Sequence, residues 1–177
     1  MKDPAIVAIV GASGAGKTTL LEKLIPDITR RGFRVGTIKH NLHKFEIDRR
    51  SKDSWRHKQA GAIATVISSP YRIGMVMDVD HDYHPIELAS FLPDMDIILA
   101  EGYKSGDIPK LEIFRPESQK EPLCINDEHL VAFVSDMSID LSVPRFAMDD
   151  INGLADFLIS YFNLIPAVSI GHRQAAP

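Results

Sequence analysis

Short apolar runs alternate along the chain with stretches whose apolar positions recur every three or four residues. Ala5 to Val10, AIVAIV, is continuous apolar sequence of the length that suits a strand buried on both faces. Lys17 to Arg31 reads as a helix with Leu20, Leu21, Leu24 and Ile28 on one side and Gly32 as its stop. Pro26 lies inside that pattern, where it predicts a kink or a split. Arg34 to Lys39 predicts a second strand, and Lys52 to Ala62 a short helix after a polar stretch. Ala64 to Ser68 and Arg72 to Asp78 read as a strand pair joined by a turn at Ser69-Pro70. His84 to Leu92 predicts a helix with Pro85 in its first turn. Asp96 to Ala100, Lys110 to Arg115 and Leu130 to Val134 are further strand candidates, and Ile151 to Phe162 is the last helix.

Strands alternating with helices predict an α/β fold. Its mostly parallel sheet is flanked by helices, and the strand pair enters as an antiparallel hairpin insertion. The length of 177 residues suits a single domain, expected over 1–170, with 171–177 as a mobile tail. The formal net charge of −4 argues against a dedicated nucleic-acid binder, which would carry a clearly basic face. Cys124 is the one cysteine, so no intrachain disulfide forms, and no nearby base activates its thiol. No apolar stretch is long enough for a transmembrane helix, and the first residues lack the signature of a secretion signal. A cytoplasmic protein with no membrane partner is the expectation.

One motif carries most of the chemistry. Gly11 to Thr18, GASGAGKT, matches G-x-x-x-x-G-K-[ST], with an apolar strand before it and an amphipathic helix after it. Gly11, Gly14 and Gly16 let the backbone bend around an anion, with Ser13 and Ala15 between them. The N–H groups from about Gly14 to Thr18, reinforced by the helix N-terminus, are expected to hold phosphates, and Thr19 follows. Lys17 supplies a point charge for the terminal phosphates, and the Thr18 hydroxyl is the expected Mg²⁺ ligand. The motif also needs a carboxylate at the end of a neighbouring strand. Glu101, closing DIILAE, is better placed than Asp96, because ligands gather at the carboxyl ends of parallel strands. Glu101 is thus the expected second metal ligand and, with Lys17, the candidate catalytic group. Gly102 permits a close backbone approach beside it.

Taken in order, GASGAGKTTL, GTIKHNLHKFEID, KDSWRHKQAGA, DIILAEGYK, PKLEIFR and AFVSD resemble the accessory GTP-binding proteins of molybdopterin-guanine dinucleotide biosynthesis, the MobB type. The resemblance runs from about Ile6 to Asp136 and more weakly to Phe162. It implies a P-loop NTPase fold with GTP and Mg²⁺ bound, weak hydrolysis and a homodimer. It also implies a partner, the molybdopterin guanylyltransferase, and contact with molybdopterin or its guanine dinucleotide. One departure stands out: the family usually has glycine before Lys-Asp-Ser, and here Ser51 takes that place.

Other residues are open to two readings. Lys39 and His40 end the second strand, either as a solvated terminus or facing phosphate or a second ligand at the edge that Lys17 faces. His40 and His43 lack the further neighbours a metal site needs. Asp48, Lys52, Asp53 and Arg56 either form an ordinary charged surface or act as a switch responding to the γ-phosphate. The segment Asp78 to His84 lacks the glycine and glutamate of a calcium loop and reads as an acidic loop. Asp136, after LVAFV, is either a turn residue or an acceptor for the N1–H and amine of guanine; the N-K-x-D guanine motif is absent. The alternative function class is an ATP-dependent small-molecule kinase. Such enzymes use an arginine-rich lid, whereas Arg115 and Arg145 stand apart in the sequence.

Overall fold

The computed structural model describes residues 4–166, so the expected tail over 171–177 lies outside the described residues. The strands are β1 (Ala5–Val10), β2 (Val35–Lys39), β3 (Ala64–Ser68), β4 (Ile73–Met77), β5 (Ile97–Glu101), β6 (Lys110–Ile113), β7 (Leu130–Val134) and β8 (Arg145–Phe146). The helices are α1 (Lys17–Arg30), α2 (Asp53–Gln59), α3 (Pro85–Ala89) and α4 (Ile151–Tyr161). The chain divides into two compact units, one built from residues 4–40 and 84–166 and the other from 41–83.

The first unit holds a six-stranded sheet in the order β2-β5-β1-β6-β7-β8, with every pairing parallel. β1 is central because its side chains are apolar on both faces. Val7 and Ile9 pack with Leu20, Leu24 and Ile28 of α1 and Leu154 and Leu158 of α4, while Ile6, Ala8 and Val10 pack with Ile98, Phe114 and Phe133 on the other face. The chain runs from β1 outward to β2 and later returns to β6 on the opposite side. β1 is therefore the switch point of the sheet, whose carboxyl end is where such folds place ligands.

α1 runs without interruption through Pro26, so the proline does not split it. Asp27 follows as a buried carboxylate paired with Arg30 at 3.0 Å and Arg31 at 2.7 Å, which anchors the last turn. β8 carries no apolar run of its own and forms only where Phe133 N–H meets the Pro144 carbonyl and Ser135 N–H that of Phe146.

The second unit consists of α2 and the antiparallel pair β3–β4, with Val66 opposite Met75 and Ile67 opposite Gly74. Its turn closes through Ser69 N–H to the Arg72 carbonyl at 2.9 Å. No helix among the described residues is long and apolar enough to cross a membrane.

Candidate functional site

The loop after β1 is shaped by sterics before chemistry. A Cβ at Gly11 would lie 2.5 Å from the Ile113 carbonyl oxygen, so the chain passes β6 only with glycine there. Gly16, the N-cap of α1, has φ 102°, a left-handed conformation that side chains resist. Between them Ser13 and Gly14 are exposed at the crest, while Ala15 is buried in the core and pins the loop from beneath. Ala15 N–H turns back to the Ala12 carbonyl at 3.2 Å. The first helical bond runs from Leu20 N–H to the Gly16 carbonyl, so the N–H groups of Lys17, Thr18 and Thr19 precede the helical ladder. The Lys17 ammonium arches over the loop and donates to the carbonyls of Gly11 and Ala12, both at 2.9 Å. Thr18 and Thr19 are exposed on the first turn.

The neighbouring strand brings the carboxylate. Glu101 is the last residue of β5, in register with Ile9 of β1 on one side and Lys39 of β2 on the other. Its side chain is only 16% exposed, and Lys39 Nζ stands 3.8 Å from Oε1. Gly102 then turns at φ 107°, where a Cβ would come within 3.0 Å of the His40 Cβ. The approach is fixed by His40 N–H to the Glu101 carbonyl at 2.9 Å and by stacking of His40 on Tyr103, with ring centres 4.4 Å apart. Lys39, His40 and Glu101 therefore share one edge with the loop. Among the described residues no group of three His, Cys, Asp or Glu side chains clusters as a metal site. A Mg²⁺ ion bound mainly by phosphate and water oxygens needs only one or two protein ligands, and a hydroxyl with a carboxylate is a donor set of that kind.

Apart from Asp136, the other flank was not legible in the sequence. Gln119 accepts from the Ala12 N–H at 3.1 Å and donates to Glu112 at 3.2 Å. Glu112 is fully buried on β6 and also accepts from the N–H groups of Leu123 at 2.5 Å and Cys124 at 2.8 Å. This chain of bonds ties the phosphate-binding loop to the segment after β6. Burial, followed by the charges of Glu112 and Asp127, pushes the buried Cys124 thiol up to about 11, away from the thiolate form that reacts. Arg115 leaves the end of β6 and, with Met148, closes on Gly16: a Cβ there would meet the Met148 methyl at 3.4 Å and Arg115 Nε at 3.6 Å. The only sequence signal for Arg115 was its place just past a strand beside β1. Asp136 accepts from the Met148 N–H at 2.9 Å and so holds that segment.

The remaining candidates lie in the second unit. Asp48 accepts from the Ser54 hydroxyl at 2.9 Å and thereby secures the start of α2, while its other carboxylate oxygen is buried without a partner. Lys52 is the N-cap of α2 and accepts the Arg56 N–H at 2.9 Å. Arg56 and Asp53 form an exposed pair at 3.9 Å, too long and too solvated to add much stability. His43 N–H bonds to Asn41 Oδ1.

Residues 6–136 match the profile described as molybdopterin guanine dinucleotide synthesis protein B, MobB. The chain belongs to the MobB family. A molybdopterin-guanine dinucleotide biosynthesis adapter protein of Escherichia coli (strain K12) is 35% identical over 161 residues, which cover 88% of this chain and 92% of that protein. A probable adapter protein of the same name from Bacillus subtilis (strain 168) is 31% identical over 163 residues, covering 88% and 91%. The crystal structure of Bacillus subtilis MobB superposes with a TM-score of 0.70 at 28% identity, covering 92% of this chain and 99% of that one. A second crystal structure, of molybdopterin-guanine biosynthesis protein B, gives 0.68 at 26% identity over 89% and 99%. The MobB fold is that of a P-loop NTPase, as the strand order and the loop after β1 expect.

Proposed function

We propose that this MobB protein is a GTP-binding adapter of molybdopterin-guanine dinucleotide biosynthesis. It acts as a homodimer beside the molybdopterin guanylyltransferase, with contact to molybdopterin or its guanine dinucleotide, and hydrolyses GTP weakly with Mg²⁺. The observation that carries the nucleotide reading is the unbroken phosphate-binding loop between β1 and α1, with Glu101 in register beside it. The names of the relatives support the pathway and an enzyme partner. In this reading the backbone from Gly11 through Thr19 holds the phosphates and Lys17 neutralises their terminal charge. Thr18 and Glu101 hold Mg²⁺, Glu101 directly or through a water. Lys39 and His40 face the second ligand, and Asp48, Lys52, Asp53 and Arg56 form the segment that responds to the γ-phosphate. Slow turnover is consistent with Gln119, whose side chain is engaged at both ends by Ala12 and Glu112 rather than available to orient a water.

The test is a thermal-shift comparison of GTP, GDP and ATP with and without Mg²⁺. Ligand at a hundredfold excess over Kd should stabilise the protein by about 2.7 kcal/mol. Lys17→Ala should lose GTP affinity more than GDP affinity, and Glu101→Gln should retain nucleotide while changing the Mg²⁺ dependence of turnover. A protein indifferent to every nucleotide would overturn the reading.

A further inference from the structure

Beside the phosphate-binding loop lies a cavity of about 230 Å³, lined by Gly16, Thr19, Lys23, Arg115, Met148 and Asp149. Its position follows the direction of a bound nucleotide. The backbone of such a loop holds the α- and β-phosphates and its lysine the β and γ, and a nucleoside that leaves on the helix side would enter this cavity past Thr19. The cavity has a volume suited to a nucleobase, and its walls are the groups a base uses. Arg115 offers a planar guanidinium that stacks on π faces. Met148 offers a polarisable thioether that packs on rings. Asp149 offers a carboxylate, an acceptor for the paired N–H donors of guanine.

These walls are held in place. Met148 N–H is fixed by Asp136, Ile151 N–H by the Asp149 carbonyl at 2.8 Å, and Asp150 caps α4 through Gly153 N–H at 3.0 Å. The Arg115 carbonyl is gripped by the N–H and hydroxyl of Ser118 at 3.0 and 2.9 Å. Gly16 keeps the entrance clear, since it adds no Cβ between Arg115 and Met148. We propose that this cavity is the purine-base slot of the protein, with Arg115 and Met148 as its packing surfaces and Asp149 as the group that selects guanine. Asp136 is then a positioning residue that acts through Met148. The proposal rests on the nucleotide reading above and deepens it.

Calorimetry with GTP, XTP and inorganic tripolyphosphate at fixed Mg²⁺ and salt tests it. Arg115→Lys, which keeps the charge and loses the planar stacking group, should weaken GTP about tenfold while leaving tripolyphosphate unchanged, and Arg115→Ala should weaken GTP at least as much. Asp149→Asn should move the XTP:GTP preference about tenfold toward XTP, since xanthine carries a carbonyl where guanine carries its amine. In the wild-type protein, labelled with ¹³C at the methionine methyls, GTP should shift the Met148 signal by ring current and tripolyphosphate should not. Parallel losses of GTP and tripolyphosphate in the Arg115 variants would put Arg115 on the phosphates and overturn the slot, as would an unmoved Met148 signal under saturating GTP. Equal wild-type affinity for GTP and tripolyphosphate would overturn it while leaving the phosphate site intact. Binding of neither would bring down the nucleotide reading itself.

Discussion

Ser51 holds φ 69° at the third position of a turn closed by Lys52 N–H to the Arg49 carbonyl at 3.2 Å, the place in such turns that favours glycine. The resemblance to the family raised the question, because it leads one to expect glycine there; the turn keeps its left-handed residue without one. A Cβ in this conformation costs about 1–2 kcal/mol, while glycine loses about 0.5–1 kcal/mol more conformational freedom on folding. Ser51→Gly should therefore stabilise the turn by about 0.5–1 kcal/mol, read as slower hydrogen exchange over 49–56. Faster exchange would mean that Ser51 contributes a contact outweighing its strain. Gly102 is the opposite case. A side chain there would meet the His40 Cβ at 3.0 Å as well as a φ of 107°, so a substitution is strained on both grounds.

At the scale of elements, what was legible in the sequence is what local patterning decides. β1, β5 and β7 are apolar runs buried on both faces, and α1 carries its apolar stripe, so each was found close to its bounds. β8 was missed because two residues carry no period, and Phe146 is a strand residue only through β7. Lys17, Thr18 and Glu101 could be named as candidates because a motif or a strand end singles them out. Gln119, Glu112 and Arg115 were not, because their roles arise from segments that meet only in the folded sheet. β6 shows the same limit: in the sequence Lys110 is only the start of a strand, yet its side chain is 2% exposed and its ammonium lies 2.6 Å from Asp127 Oδ2. The Lys110 hydrogen bond holds the Asp127 carboxyl below the usual carboxylate range. A depressed folded value means that the pair stabilises the protein above the ordinary aspartate pKa near 4 and that this stability is lost as pH falls through the folded value. Asp127→Asn leaves a buried ammonium without its counter-charge and should cost about 3 kcal/mol at pH 7, with a flatter acid limb. Lys110→Met removes the buried charge and leaves a carboxylate that is 24% exposed and can turn to water, so it should cost less, about 1 kcal/mol, with the acid limb equally flattened. Urea melts at pH 7 and pH 3 separate these outcomes, and equal losses at pH 7 would show that the uncompensated ammonium is not what matters.

For the whole molecule, the distribution of exposed apolar side chains is uneven. Ten of the seventeen large ones among the described residues fall within 41–83, including Tyr71 at 84% and Ile73 at 73% exposure. The β3–β4 pair presents Val66, Ile73 and Met75 on one face and Ile67 on the other, with two strands in its sheet. A two-stranded hairpin is marginal in water by itself, and contiguous apolar surface of this kind marks an interface. In the proposed homodimer the cover would come from the second copy, the two hairpins presenting the same surface to each other as a two-fold contact requires. A stable dimer buries about 1,200–2,000 Å² in total, so most of these side chains would need to leave water together. Ile73→Glu should then raise the dimer dissociation constant by at least about a hundredfold, since it sets two like charges in an apolar contact. Nucleotide affinity should stay at the wild-type value, because Ile73 lies outside the unit that carries the phosphate-binding loop. Sedimentation equilibrium at micromolar concentrations reads the first effect and calorimetry with GTP the second. A wild-type protein that sediments as a monomer would remove the homodimer and assign the hairpin to another partner, and an Ile73→Glu variant that remains a dimer would move the dimer contact to a different surface.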